Sequence, residues 1–188
     1  MKRRNAKERI LKAAFELFSE KPYDEVTVDE VAKQAGVSKG GLFHYFPSKY
    51  ELAKESLFYG LERWMGEISS KVLSMKSPEE KFRALIEYSV EFILKNPKFS
   101  RFFLEVYEKS IEKKELEQWI SSSLEYLQLF EGIFRELGVL NPKIRALLFG
   151  ALLDGLAFDY LLMGDEGKKY FDIEDIKREI FEIFTGKS

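Results

Sequence analysis

The sequence predicts an all-α chain, and three observations predict it. No stretch keeps a period-two apolar alternation between Asn-Gly or Asp-Gly turns. Apolar residues recur instead at i, i+3, i+4 spacing along most of the 188 residues. Helix starts and stops punctuate the chain throughout: capping boxes, Ser-Pro and Asn-Pro pairs, and glycines just after periodic runs.

Taken in order, the first helix runs from about Ala6 to Glu20, with Ile10, Ala13, Ala14, Leu17 and Phe18 on one stripe, and Pro22 breaks it. Thr27 and Glu30 form a capping box, each side chain satisfying the other residue's backbone N–H, and open the short helix "VDEVAKQA" that stops at Gly36. Ser38 caps a third helix, Ser38 to Phe46, ended by Pro47. A second capping box, Ser48 with Glu51, launches a much longer helix toward Ser74. "SPEE" at 77–80 starts a helix reaching about Lys95, with proline where the N–H has no helical partner. "NP" at 96–97 starts another through "KFSRFFLEVYEKSI". A long helix follows from about Lys114 to Leu137, closed by Gly138. "NP" at 141–142 opens an apolar helix, and a last one runs from Asp172 to Phe184, ending at Gly186.

That makes nine helices, short at first and then mostly long. Helix length and charge both change near residue 48, so the expected domains are 1–47 and 48–188. Residues 1–50 hold ten Lys/Arg against seven Asp/Glu, a net of +3. The remainder carries 20 against 25, a net of -5. Most of the basic excess lies in "MKRRNAKERILK".

Composition removes several functions. The chain has no cysteine, hence no disulfide framework, Cys-type zinc site or thiol nucleophile. Its one histidine, His44, leaves little for a metal site or acid–base chemistry, so no cofactor and no enzymatic activity are expected. Neither a Gly-rich phosphate loop nor the Glu-x-x-His spacing of a di-iron bundle is present. The basic start leads into an amphipathic segment with no cleavage site, so no signal peptide is read there. The 18-residue stretch "ALLFGALLDGLAFDYLLM" carries Asp154 and Asp159. Each would cost roughly 2.5–3.5 kcal/mol in a bilayer centre. It is expected to be a buried helix of a soluble, cytoplasmic protein. A charged content of 33% and only three Asn and three Gln fit a thermophile's composition.

Short helix, glycine turn, short helix is the pattern of a helix-turn-helix. Ala32 is small where the second helix crosses the first, and Gly36 tolerates the turn's positive φ. Val31, Ala35, Val37 and Leu42 pack the pair, with Tyr45 and Phe46 adding bulk toward the first helix. With Leu42 and Phe46 turned inward, the opposite side carries Lys39, Gly40, Phe43 and His44. Glycine there permits close approach to a groove wall or base edge. Lys39 suits a guanine edge and Phe43 a thymine methyl. His44, Tyr45 and Lys49, and the N–H groups at the helix starts of Thr27 and Ser48, are placed to meet phosphates, and Ser38 and Gly41 complete the DNA-binding candidates.

The stretch "TVDEVAKQAGVSKGGLFHYFPSKYEL", preceded by "ILKAAFELFSEKPYDEVT", resembles the N-terminal domain of the TetR family of transcriptional repressors. Thr27, Ala32, Gly36, Val37, Ser38, Gly40, Leu42, Tyr45, Phe46, Lys49 and Leu52 fall where that family's pattern expects them. The resemblance covers roughly residues 6–53. It implies an all-α homodimer whose recognition helix, Ser38 to Phe46, enters the major groove. A small molecule bound in the second domain would lower DNA affinity. It also implies phosphate contacts from Thr27, Tyr45 and Lys49 and base-facing positions for Lys39, Gly40 and Phe43. The chain departs from many members in having Phe43 in place of tyrosine and the order His44–Tyr45.

Beyond residue 50 lie 13 Phe, 6 Tyr and 2 Trp, more than a small bundle needs for its core. Apolar, aromatic lining with a few polar groups suits a ligand pocket. Trp64, Tyr88, Phe92, Phe103, Tyr107, Trp119, Tyr126, Phe130 and Asp154 are the candidates, with Gln128 as a further polar group. Asp154 either orients a ligand or pairs across a dimer. The expected effector is elongated or polycyclic and apolar, a fatty-acid derivative or an aromatic drug. Gly150, Ala151, Gly155, Phe158, Ile180 and Phe184 are the candidate dimer contacts, in an intermolecular bundle of the last two helices that the resemblance implies. The competing reading is a helical ligand-binding or adaptor protein whose helix-turn-helix is structural only.

Overall fold

The computed structural model describes residues 2–167, 169–170 and 172–187; the side chains of residues 2–4 and 165 lie outside the description. Among the described residues there are nine α-helices, one 3-10 turn and no strand. They are α1 (Lys2–Glu20), the 3-10 turn Tyr23–Glu25, α2 (Val28–Ala35), α3 (Lys39–Phe43), α4 (Lys49–Leu73), α5 (Pro78–Lys95), α6 (Pro97–Lys113), α7 (Glu117–Glu136), α8 (Pro142–Gly167) and α9 (Ile173–Thr185). The all-α expectation holds among the described residues.

The chain forms two compact units. The first comprises Met1–Met65 and Lys98–Glu115, so α6 belongs with α1–α3 and most of α4. Its core is the α1 stripe of Ile10, Ala13, Ala14 and Phe18, with Val31, Leu42, Phe46, Leu52 and Leu57 closing over it. Phe18 stacks on Phe102 of α6 at 5.2 Å and on Tyr23 at 5.7 Å between ring centroids. Ion pairs join the same elements at the surface, Lys98 to Glu20 at 2.6 Å and Lys7 to Glu55 at 2.7 Å. Tyr50 donates to the buried Ser110 hydroxyl at 3.0 Å, fastening α4 to α6.

The second unit comprises Gly66–Pro97 and Leu116–Ser188. Phe82 of α5 stands at its centre, ringed by Phe134, Phe149, Phe181 and Phe184 with centroids 4.9 to 6.3 Å away. These tilted and edge-on pairs are the geometry that ring quadrupoles favour. Arg145 of α8 donates to the carbonyls of Ile183 and Phe184, satisfying the C-terminal end of α9.

Four expectations change. Helix α3 ends at Phe43 rather than Phe46, because the residue before Pro47 is driven out of the helical region. Phe46 N–H still donates to Leu42 carbonyl at 3.0 Å, so the turn stays wound. Helix α7 begins at Glu117, since α6 runs on and closes at Lys114, a non-glycine residue at φ 59. Ile180 and Phe184, expected at a dimer interface, are core residues of the second unit, 3% and 4% exposed, so neither can face a partner. Helix α8, expected to be buried, places Ala146, Phe149, Leu153 and Tyr160 inward but leaves Leu147, Leu148, Phe158 and Leu162 exposed. Only 22% of its most apolar stretch is buried. By length and composition alone α8 could cross a membrane, and its two mid-helix aspartates oppose that.

Candidate nucleic-acid interface

The helix-turn-helix closes as its sequence dictates. Thr27 Oγ1 accepts from Glu30 N–H at 3.2 Å, while the Glu30 carboxylate accepts from Thr27 N–H at 2.9 Å, a complete capping box. At the other end of α2, Gly36 takes φ 65. Val37 N–H donates to Ala32 carbonyl at 3.0 Å and Gly36 N–H to Lys33 carbonyl at 3.2 Å, the paired bonds of a Schellman stop. Arg9 Nε of α1 reaches Ala35 carbonyl at 3.0 Å, satisfying a further orphan acceptor. Val31, Ala32, Ala35 and Leu42 are buried between the helices and Val37 is half-buried.

Helix α3 buries Leu42 and exposes Lys39, Gly40, Phe43 and His44. A Cβ placed on Gly40 would meet nothing within 4 Å, so the bare patch there serves no internal packing. Gly41 differs. Its N–H donates to Ser38 Oγ at 3.0 Å, and a Cβ would lie 3.1 Å from that oxygen, so Gly41 serves the cap. Ser38 uses one of its two lone pairs on that cap and keeps its own hydroxyl proton to offer. The His44 ring sits edge-on to Tyr45 at 5.4 Å, and Tyr45, half-buried, leans against Phe46 at 6.4 Å.

The charged donors are already engaged. Lys39 Nζ lies 2.7 Å from Asp29 Oδ2. Thr27 gives both its N–H and its hydroxyl to Glu30, each at 2.9 Å, and Lys21 pairs with the same carboxylate at 2.9 Å. The Lys21 hydrogen bond, then those from Thr27, hold the Glu30 carboxyl down at about 2. Lys49 lies over the Tyr23 ring at 4.6 Å and donates to Asp24 carbonyl at 3.3 Å. Burial there pushes its ammonium below the usual lysine range. Lys109 of α6 covers the same ring at 4.5 Å, and Tyr23 N–H donates to Glu105 of α6 at 3.0 Å. The Glu30 partner of Thr27 was read as a capping box, but the pairing of Asp29 with Lys39 and of Lys21 with Glu30 was not. Of the six basic residues at the N-terminus, Lys2, Arg3 and Arg4 have side chains outside the described residues.

The aromatic candidates divide between the units. Trp64, Phe103 and Tyr107 belong to the first, where Phe103 and Tyr107 stack at 6.4 Å along α6. Tyr88, Phe92, Trp119, Tyr126, Phe130 and Asp154 belong to the second. Phe130 packs edge-on against Phe149 at 5.0 Å and is a core residue, as is the buried Trp119. Lys71 lies over Tyr88 at 5.0 Å. Gln128 is exposed, and Tyr126 and Phe92 are half-buried. Asp154 is exposed on α8, yet the apolar side chains around it exclude enough water to push its carboxyl above the usual range. On the same helix Ala151, Gly155 and Phe158 are exposed and Gly150 is half-buried.

Residues 10–56 match the sequence profile of the bacterial regulatory proteins of the tetR family. Residues 10–56 therefore carry a tetR-family N-terminal domain. The match covers α1–α3 and the start of α4, the part just described. QacR, an HTH-type transcriptional regulator of Staphylococcus aureus, is 28% identical over 143 residues, covering 74% of this chain and 73% of QacR. The HTH-type regulator YuxN of Bacillus subtilis is 32% identical over 90 residues, 48% of this chain and 31% of YuxN. The chain shares the fold of the Bacillus subtilis regulator FadR, solved in complex with stearoyl-CoA. The two superpose with a TM-score of 0.66 at 18% identity, over 95% of this chain and 97% of FadR. These TetR-family relatives are transcriptional regulators and not enzymes.

Proposed function

We propose that the chain is a dimeric, ligand-released transcriptional repressor acting in the cytoplasm, with residues 1–47 binding DNA and residues 48–188 binding the effector and the partner copy. The observation that carries the reading is the exposed face of α3, where Lys39, Gly40 and Phe43 stand clear of the core and Gly40 has no internal neighbour to accommodate. A short helix with a bare, cationic outer face is built to be approached closely, and a major groove admits a helix of that size. Lys39 and Phe43 read bases; Ser38, His44, Tyr45 and Lys49 meet phosphates, as does Thr27 once Glu30 releases it. Two copies set their recognition helices about one helical turn apart, roughly 34–36 Å, which requires a near-palindromic operator.

Helix α6 supports the regulatory part. Its Phe103 and Tyr107 are candidate effector contacts, while its Glu105 and Lys109 touch Tyr23, the ring beneath Lys49. A ligand that shifts α6 therefore displaces a phosphate-binding lysine through two contacts. The effector is apolar and elongated or polycyclic: FadR is solved with stearoyl-CoA, and the candidate lining here is aromatic.

The test is selection of random duplexes with the purified protein, followed by sequencing. Enrichment of a near-palindrome is expected, abolished by the Lys39→Ala, Gly40→Glu double variant. Because Gly40 has open space around it, the added side chain blocks the groove without crowding the core. Failure to enrich any duplex at low salt would make the helix-turn-helix a structural element and leave a helical ligand-binding protein.

A further inference from the structure

We infer that Asp29 is a specificity-determining residue that holds Lys39 back from non-operator DNA; the inference rests on the DNA-binding reading above. Asp29 lies in the first turn of α2 and Lys39 in the first turn of α3, ten residues on, across the Gly36 turn. Their side chains meet at 2.7 Å, although both are more than half exposed, 66% and 55%. Nothing in the core forces that meeting. The next residue, Glu30, does the same to Thr27, taking both of its donors at 2.9 Å. Two of the groups that would face DNA thus end on carboxylates of one helical turn, where a phosphate would otherwise be.

The consequence differs for the two kinds of DNA. An ammonium has three donors. With one kept on Asp29, the other two remain for the O6 and N7 acceptors of a guanine on the groove floor. A backbone phosphate lies off that floor. To reach it Lys39 must leave Asp29 and uncover a carboxylate beside the polyanion, which cancels much of the gain. Asp29 therefore taxes phosphate contact while permitting base contact.

The experiment compares the wild type, Asp29→Asn, Lys39→Ala and the double variant. Each binds the duplex recovered by selection and a shuffled duplex of the same composition, across a potassium chloride series. Asp29→Asn is expected to raise affinity for the shuffled duplex roughly 3- to 10-fold, the scale of a released exposed ion pair in each protomer of a dimer. The slope of log K against log salt should steepen by about 0.9 per protomer as Lys39 gains a phosphate. Affinity for the selected duplex should change by less than about twofold, so that discrimination falls. Asp29→Glu, which retains the pairing charge, should keep wild-type discrimination. In the Lys39→Ala background the Asp29 substitution should do nothing to discrimination. Unchanged discrimination in Asp29→Asn overturns the inference. So does an equal effect with Lys39 absent, which would make Asp29 a general repulsive charge. Wild-type protein that binds no duplex at any salt overturns the DNA-binding reading itself, a result that the variants cannot mimic.

Discussion

A Cβ on Gly60 would run into the ring of Phe15, which is half-buried and packs on Phe99 at 5.9 Å, so that ring must shift to make room. Overfilling a packed site of this kind costs about 1–3 kcal/mol. Gly60→Ala should therefore lower the urea midpoint of unfolding. Gly40→Ala should not: with open space around it, alanine in place of glycine in a helix gains about 0.5–1 kcal/mol at most. Opposite shifts of the two midpoints are the expected result, and equal shifts would mean that glycine acts only through helix propensity at both. The sequence distinguishes these two glycines only in part. Gly40 is legible because it sits in a short helix beside a cap and across from Leu42. Gly60 is not, because its reason lies 45 residues away on another helix. The same limit hides the acidic partner of Lys39, whose pairing depends on rotamers and not on spacing.

Helix ends were the most legible feature at the next scale up. Of the two capping boxes read from the sequence, Thr27 with Glu30 closes as written, and at the other Ser48 Oγ accepts from Glu51 N–H at 3.1 Å; Ser77, read only as an N-cap, forms a full box with Glu80, its Oγ accepting from Glu80 N–H at 3.1 Å. The stops at Gly36, Gly138 and Gly186 all take positive φ, because glycine alone marks that conformation in a sequence. Lys114 and Asn141 take it too, and lysine carries no such signal, which is why α7 was read to start too early. The α2 box makes a pH prediction. Glu30 is held at about 2 against an ordinary 4.5, so its depressed folded value stabilises the fold above pH about 4.5 and that contribution is lost as pH falls toward 2. Glu30→Gln should flatten the acid limb of the stability curve over that window, followed by circular dichroism. Thr27→Ala should cost about 1 kcal/mol at neutral pH through the lost cap. An acid limb that is unchanged in Glu30→Gln would mean that the carboxylate pairs equally well in the unfolded chain.

For the molecule as a whole, the face of α8 opposite Phe149 is an apolar surface with no internal partner: Leu147, Leu148, Phe158 and Leu162 are 53%, 55%, 54% and 72% exposed, with Ile183 of α9 at 62%. A row of this size on a single chain marks an interface. Ala151 and Gly155, exposed on the same helix, would let a partner helix come close, as small residues do wherever helices cross tightly. On the proposed dimer, the contacts pass from the buried Ile180 and Phe184 to Ile183 and the outer face of α8. If the face is an interface, stability depends on protein concentration, because the folded form is held by its partner through mass action. The unfolding temperature of the wild type should rise measurably over a hundredfold increase in concentration. Phe158→Asp, which places a carboxylate in the middle of the row, should give a monomer by sedimentation and abolish the concentration dependence. It should also weaken operator binding far more than binding to a single half-site, since only a dimer spans both. A wild-type chain that sediments as a monomer at all concentrations and partitions onto neutral lipid vesicles would assign the α8 face to a membrane instead, with Asp154 and Asp159 then needing partners that the single chain does not supply.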